Sequence, residues 1–243
     1  MSLFETHAKF ATTSWTLVAA LQDKDHPGHG EALEALASRY WPPVYASVRR
    51  MGRNRDDAAD LTQAFFADVV LGRRLFDQAE AQRGRLRTLL LTALKRFMID
   101  EHRRRKCRPD EGCLSLDALE REERFLAREP EVDPEEAFER RLAMVQLEEA
   151  LRRCERSLVD GGLAKHWAAF DAFAVKPAIG AVSPPPLAKL AKELGFASAV
   201  HVASALKVVR KRFRLLLREI VAETVIDPAD QEAEYRQIVS LLS

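Results

Sequence analysis

Cysteine is scarce, and its three representatives, Cys107, Cys113 and Cys154, form no Cys-x-x-Cys pair. An odd, scattered set excludes a disulfide scaffold, and the nearest histidine, His102, makes no zinc-ligand spacing with them, so they read as reduced thiols. Nothing approaches the run of about 20 apolar residues that spans a bilayer, and the first ten residues lack the basic-then-apolar order of a signal peptide. The expectation is a cytoplasmic chain without membrane contact. Strict alternation of apolar and polar residues is missing, which leaves strands without support, and no internal repeat occurs. No nucleophile stands beside a base, no glycine loop is built for phosphate, and no metal cluster can be assembled. The chain is therefore expected not to be an enzyme and to need neither metal nor cofactor.

What is present is 243 residues, 47% apolar and 31% charged, enough for one large domain or two smaller ones with real cores. A formal net charge of +1 conceals a sorting of charge along the chain. Arg83, Arg85, Arg87, Lys95, Arg96, Arg103, Arg104, Arg105, Lys106 and Arg108 face only Asp100 and Glu101 within one basic block. The next forty residues are acidic, through Glu111, Asp117, Glu120, Glu122, Glu123 and onward to Glu139. A second basic block holds Lys189, Lys192, Lys207, Arg210, Lys211, Arg212, Arg214 and Arg218 against Glu193, and the final stretch is acidic again. Two basic blocks around an acidic connector suit two contacts with a polyanion.

Apolar residues recur at three and four spacing, so the fold class is all-α. Leu33, Leu36, Tyr40, Val44 and Val48 form one stripe, with Pro42 and Pro43 expected to end one helix and start the next, and Gly52 to close the unit. Residues 57–70 make a further helix with Leu61, Phe65 and Val69 on one face, and another begins near Gly84 with Leu86, Leu90, Leu94 and Phe97. Pro109, Gly112, Pro130 and Pro134 punctuate an acidic stretch that reads as a solvated linker. Helices resume with Leu147, Leu151, Cys154 and Leu158, and with Trp167 and Phe170. Residues 176–186, rich in proline, are expected to be a loop. A short helix from Leu187 then stops at Gly195, and a long one carries Val202, Leu206, Val209 and Phe213.

That last pair has the pattern of a helix-turn-helix. His201, Ser204, Lys207, Val208, Lys211 and Arg214 follow at helical spacing opposite the apolar stripe, the first able to meet base edges and the later cations phosphates. A terminal helical hairpin with a solvated charged face fits the same pattern. The first basic block, backed by a short loop over residues 76–86, suits a single-stranded or melted nucleic acid, with a solvated helix as the plainer reading. On the preceding helix Asp57, Asp60 and Asp68, with Gln63 and Phe66, make a poor metal site and a better docking face for a protein.

Asp57-Ala58-Ala59-Asp60-Leu61-Thr62-Gln63-Ala64-Phe65-Phe66, then Arg83-Gly84-Arg85-Leu86-Arg87-Thr88-Leu89-Leu90, then Asp100 and Arg103-Arg104-Arg105, resemble region 2 of bacterial sigma factors of the extracytoplasmic-function type. The helix-turn-helix over residues 187–217 resembles the family's region 4. Thr12-Thr13-Ser14-Trp15-Thr16-Leu17-Val18 and Ser38-Arg39-Tyr40-Trp41-Pro42-Pro43-Val44-Tyr45 are similar to a planctomycete-like subgroup. The chain departs from the family pattern at Ala64, Leu89 and Arg96.

The resemblance implies an N-terminal extension over 1–27, a region 2-like domain over 28–108, an acidic linker over 109–140, a region 4-like domain over 141–226 and an acidic tail over 227–243. It implies core RNA polymerase and promoter DNA as partners, and an anti-sigma factor as a further candidate. Asp57, Asp60, Leu61, Gln63 and Phe66 would dock on the polymerase. Arg83, Arg85, Arg87, Lys95, Arg96, His102, Arg103 and Arg105 would hold the minus-ten element, with the loop before Arg87 receiving a flipped base. His201, Ser204, Lys207, Val208, Lys211 and Arg214 would read the minus-thirty-five element. The linker would run toward the polymerase active centre. A helix-turn-helix regulator acting without polymerase, or a helical adaptor binding only protein, remain the alternatives.

Overall fold

The computed structural model describes residues 20–21, 23, 25–72, 75, 86–104, 116–127, 131–180, 182–225 and 228–240, the side chains of 72, 102, 104, 116–118 and 228–229 excepted. Every regular element among them is helical, as the apolar periodicity predicts. Two compact units result, one from residues 1–145 with 221–243 and the other from 146–220.

In the first unit α1 (His29–Arg50) buries Leu36, Tyr40, Val44, Tyr45 and Val48. It is one helix and not the expected two, since Pro42 and Pro43 lie inside it. Each proline removes a helical N–H, and the packing of Tyr40, Pro43, Val44 and Tyr45 into the core outweighs that loss. Gly52, at φ +82°, takes the left-handed turn after α1 that a side chain would strain. Asn54 then caps α2 (Arg55–Ala64), its Oδ1 accepting the Asp57 N–H at 2.8 Å. The chain continues from α2 through wider π-helical turns over Phe65–Gly72. Phe65 meets Phe66 and Phe97 edge-on at 5.6 and 5.7 Å between ring centres, which joins this segment to α3 (Leu86–Arg104).

The stretch expected as a solvated linker is instead helical in α4 (Leu116–Leu126) and from the start of α5 (Pro134–Asp160), and Leu119, Phe138 and Leu142 enter the same core as α1 to α3. Its acidic residues are not all solvating. Glu122 and Arg141 are both buried and form a two-pronged pair at 2.7 Å on each side, with the Arg141 guanidinium 4.7 Å from the Phe125 ring centre. Glu123 accepts from Tyr45 Oη at 2.6 Å and from Arg49 at 2.6 and 2.9 Å. The expected acidic tail also folds, as α10 (Pro228–Ser240), with Glu234, Tyr235 and Ile238 buried in the first unit.

The second unit packs Cys154 and Leu158 of α5 against Phe170, Leu190, Val202, Leu206 and Val209. Here α6 (Ala164–Phe170) runs through π-helical turns over Asp171–Val175 into α7 (Lys176–Gly180). The loop expected from residue 176 therefore begins after residue 180. The Lys176 N–H reaches back five residues to the Asp171 carbonyl, and this wider turn carries the helix past Pro177, which has no N–H to donate. Then come α8 (Leu187–Leu194) and α9 (Ala199–Ala222). Burial pushes the Cys154 thiol up to about 11, so it packs as a neutral apolar group with Sγ 4.0 Å from the Val209 carbonyl.

The Glu123 cluster makes stability depend on pH. Hydrogen bonding from Arg49 holds the Glu123 carboxyl below the ordinary carboxylate range against the opposing effect of burial, while burial and then Glu123 hold the Tyr45 phenol above its ordinary value. A carboxyl lowered in the folded state stabilises above its unfolded pKa, and the contribution is lost as pH falls through the folded value. Glu123→Gln should cost on the order of 2 kcal/mol at pH 7, and the gap to wild type should close as the pH drops below the ordinary value of 4.5. Urea titrations followed by helical circular dichroism at several pH values measure both.

Candidate functional site

The α2 surface separates into two sides. Leu61 and Phe66, both expected at a docking face, are buried in the core, so their role is to hold the helix rather than to meet a partner. Gln63 is exposed, and Asp57 and Asp60 are partly so. Asp57 belongs to the cap as well, since Asn54 Nδ2 donates to its carboxylate at 3.1 Å. The polar residues therefore form a short strip along α2, opposite Ala58, Leu61 and Thr62.

On α3 the expected cations divide. Arg96 and Arg103 are exposed. Arg87 is mostly buried, with Nη1 2.7 Å from Glu234 Oε1 and 3.8 Å from Glu139 Oε1. Lys95 sits at the surface with Nζ 2.8 Å from Glu135 Oε2. Arg87 and Lys95 thus face carboxylates of α5 and α10. Ile99, more than half exposed, adds an apolar side chain between Lys95 and Arg103. Arg83, Arg85, Arg105, the side chain of His102, the motif over 12–18 and most of the loop over 76–86 lie outside the described residues.

The second unit carries the helix pair. Gly195, at φ +67° and ψ 39°, ends α8, and the Phe196 N–H closes the turn on the Ala191 carbonyl at 2.9 Å. The Ser198 carbonyl receives the His201 and Val202 N–H groups at the start of α9, while Ser198 Oγ and His201 Nδ1 share a 2.9 Å hydrogen bond. That bond orients the imidazole at the first turn. His201, Ser204, Lys207, Val208, Lys211 and Arg214 are all exposed, whereas Val202, Leu206 and Val209 are buried. The structure brings the six expected residues onto the outer side of one helix.

Arg210 was not among the expected contacts, yet it is exposed and lines an open basic strip with Lys207, Lys211, Arg214, Leu215 and Arg218. Its place three residues after Lys207 and four before Arg214 is a signal that helical spacing alone supplies. Among the described residues no group of three or more metal-ligating side chains occurs, and no helix is long and apolar enough to cross a membrane.

A comparison with protein families matches residues 36–108 to the model described as Sigma-70 region 2. Searches of curated proteins and of solved structures found no significant match. The matched segment covers α1 from Leu36 onward, α2 with its π-helical continuation, and α3. Over residues 36–108 the chain is thus similar to Sigma-70 region 2, a match that covers less than half of its length.

Proposed function

We propose that the chain is a sigma factor of the extracytoplasmic-function type, in the planctomycete-like subgroup, that binds core RNA polymerase in the cytoplasm, directs it to promoters and assists melting of the minus-ten region. The observation that carries the reading is the region 2 match over residues 36–108. The polar strip of Asp57, Asp60 and Gln63 on α2 docks on the polymerase, and Leu61 and Phe66 set its angle from the core. Arg96 and Arg103 on α3 meet the minus-ten strand, together with Arg83, Arg85, His102 and Arg105 from the sequence pattern. Its region 4 is the α8 and α9 pair, with the outer side of α9 in the major groove of the minus-thirty-five element. An anti-sigma factor is a further partner in this reading. The chain does no bond chemistry, which belongs to the polymerase.

Docking and reading are separable. Asp60→Lys with Gln63→Lys should abolish co-purification with core polymerase while leaving helical circular dichroism unchanged, because Gln63 is exposed, Asp60 is partly exposed and neither belongs to the core. Co-purification at wild-type level would place the docking face elsewhere.

On α9, position along the helix separates base reading from phosphate holding. Lys207→Ala should change which upstream promoter bases are preferred and cost about 1–3 kcal/mol at the preferred site. Arg214→Ala should weaken all promoters about equally and reduce the salt slope by roughly one. Transcription assays on promoters with varied upstream elements, run over a salt series, measure both. Promoter choice unchanged in both variants would remove α9 as the reader.

A further inference from the structure

We propose that α5 and α10 carry an internal competitor for nucleic acid: carboxylates outside the region 2 segment occupy Arg87 and Lys95 of α3, and an incoming strand must displace them. The inference rests on the proposed function, because it takes α3 as the minus-ten surface.

Arg87 and Lys95 belong to the basic block that the sequence pattern assigns to a polyanion, yet both are already engaged within the first unit. The Arg87 guanidinium lies 2.7 Å from Glu234 of α10, and the two side chains are 12% and 5% exposed, so solvent does not loosen the pair. Glu139 of α5 stands 3.8 Å from the same nitrogen. Gln237 Nε2 donates to the other oxygen of Glu139 at 2.9 Å, which ties α10 to α5 beside Arg87. Glu135 of α5 covers Lys95 at 2.8 Å, in a pair that is half exposed and correspondingly weak. Carboxylate and phosphate oxygens are the same kind of ligand for a guanidinium fork, so Glu234 and a backbone phosphate compete for the same donors.

The chain leading to α10 is anchored by Val221, Val225 and the Arg39–Glu223 pair, whereas α10 itself is held lightly. Residues 227–243 hold Asp227, Asp230, Glu232 and Glu234 against Arg236 alone, so this stretch repels a nucleic-acid strand. Among the described residues of α10, the side chains buried besides Glu234 are those of Tyr235 and Ile238. A 13-residue helix with so small an apolar contact is among the elements that open locally before the core does. Displacement of α10 therefore leaves Arg87 with only the longer Glu139 contact and removes negative charge from the same surface in one step.

The test measures binding of a fluorescent single-stranded oligothymidine to the full chain by anisotropy over a salt series, in wild type, Glu234→Gln, Glu139→Gln with Glu234→Gln, and each of these with Arg87→Ala. Glutamine keeps the size of the side chain and removes its charge. Once Arg87 is free to hold a phosphate, binding should tighten about five-fold at 0.1 M salt relative to 1 M, and the logarithmic salt slope should steepen by about 0.7. This tightening should vanish with Arg87→Ala. Unchanged affinity and slope in folded variants would overturn the inference, as would a tightening that persists without Arg87. Loss of the helical signal in both glutamine variants would mark the pair as a structural clamp and also overturn it. Co-elution of the wild-type chain with core polymerase, measured separately, reports on the proposed function itself and does not depend on the oligonucleotide result.

Discussion

In the first unit Glu122, Glu123, Glu223 and Glu234 are each met by an arginine of another element, and the arrangement of its helices depends on those meetings. Glu122 and Arg141 are 3% and 2% exposed. Two charges so far from water would each cost several kcal/mol unpaired, and the two-pronged geometry at 2.7 Å offsets that cost. The pair sets α4 against α5, and the Glu123 bonds to Arg49 and Tyr45 set α4 against α1. Apolar burial by Leu36, Phe65, Phe97 and Phe138 supplies most of the driving force. Being non-directional, it leaves register open, and the ion pairs choose among the ways those helices could pack.

Apolar anchoring orients the candidate surfaces. Leu61, Phe65 and Phe66 are held in the core, so α2 turns its polar strip outward. In the second unit the order is simpler, with Gly195 and Ser198 shaping the turn and the Val202, Leu206 and Val209 stripe burying one side of α9 so that its cations stand on the other. Rigid helices hold both candidate surfaces, which suits recognition by fixed geometry more than by adaptation. The chain's net charge of +1 is thus compatible with polyanion binding, since its acidic residues neutralise arginines inside the fold as well as at its surface.

Local signals were legible in the sequence and long-range ones were not. The Leu61 and Phe65 face, the stop at Gly195 and the outer side of α9 follow from spacing within a few residues, and each stands where the pattern puts it. The region 2 resemblance also rests on contiguous residues, and the family match over 36–108 agrees with it. Pro42 and Pro43 misled because the packing that keeps α1 continuous is tertiary. The acidic stretch after residue 109 misled because density of charge marks solvation only when the charges lack partners. Arg49 and Arg141, which satisfy Glu123 and Glu122, lie 74 and 19 residues away. Glu234 is 147 residues from Arg87, a pairing no local pattern contains.

The role proposed for this chain is to confer promoter choice on RNA polymerase. Reconstitution of the purified chain with core polymerase on fragmented genomic DNA, followed by mapping of transcript 5′ ends, tests it most directly. Start sites should require the chain and core polymerase together and share one minus-ten and one minus-thirty-five sequence. Starts that do not depend on the chain, or tight sequence-specific duplex binding by the chain without polymerase, would contradict it.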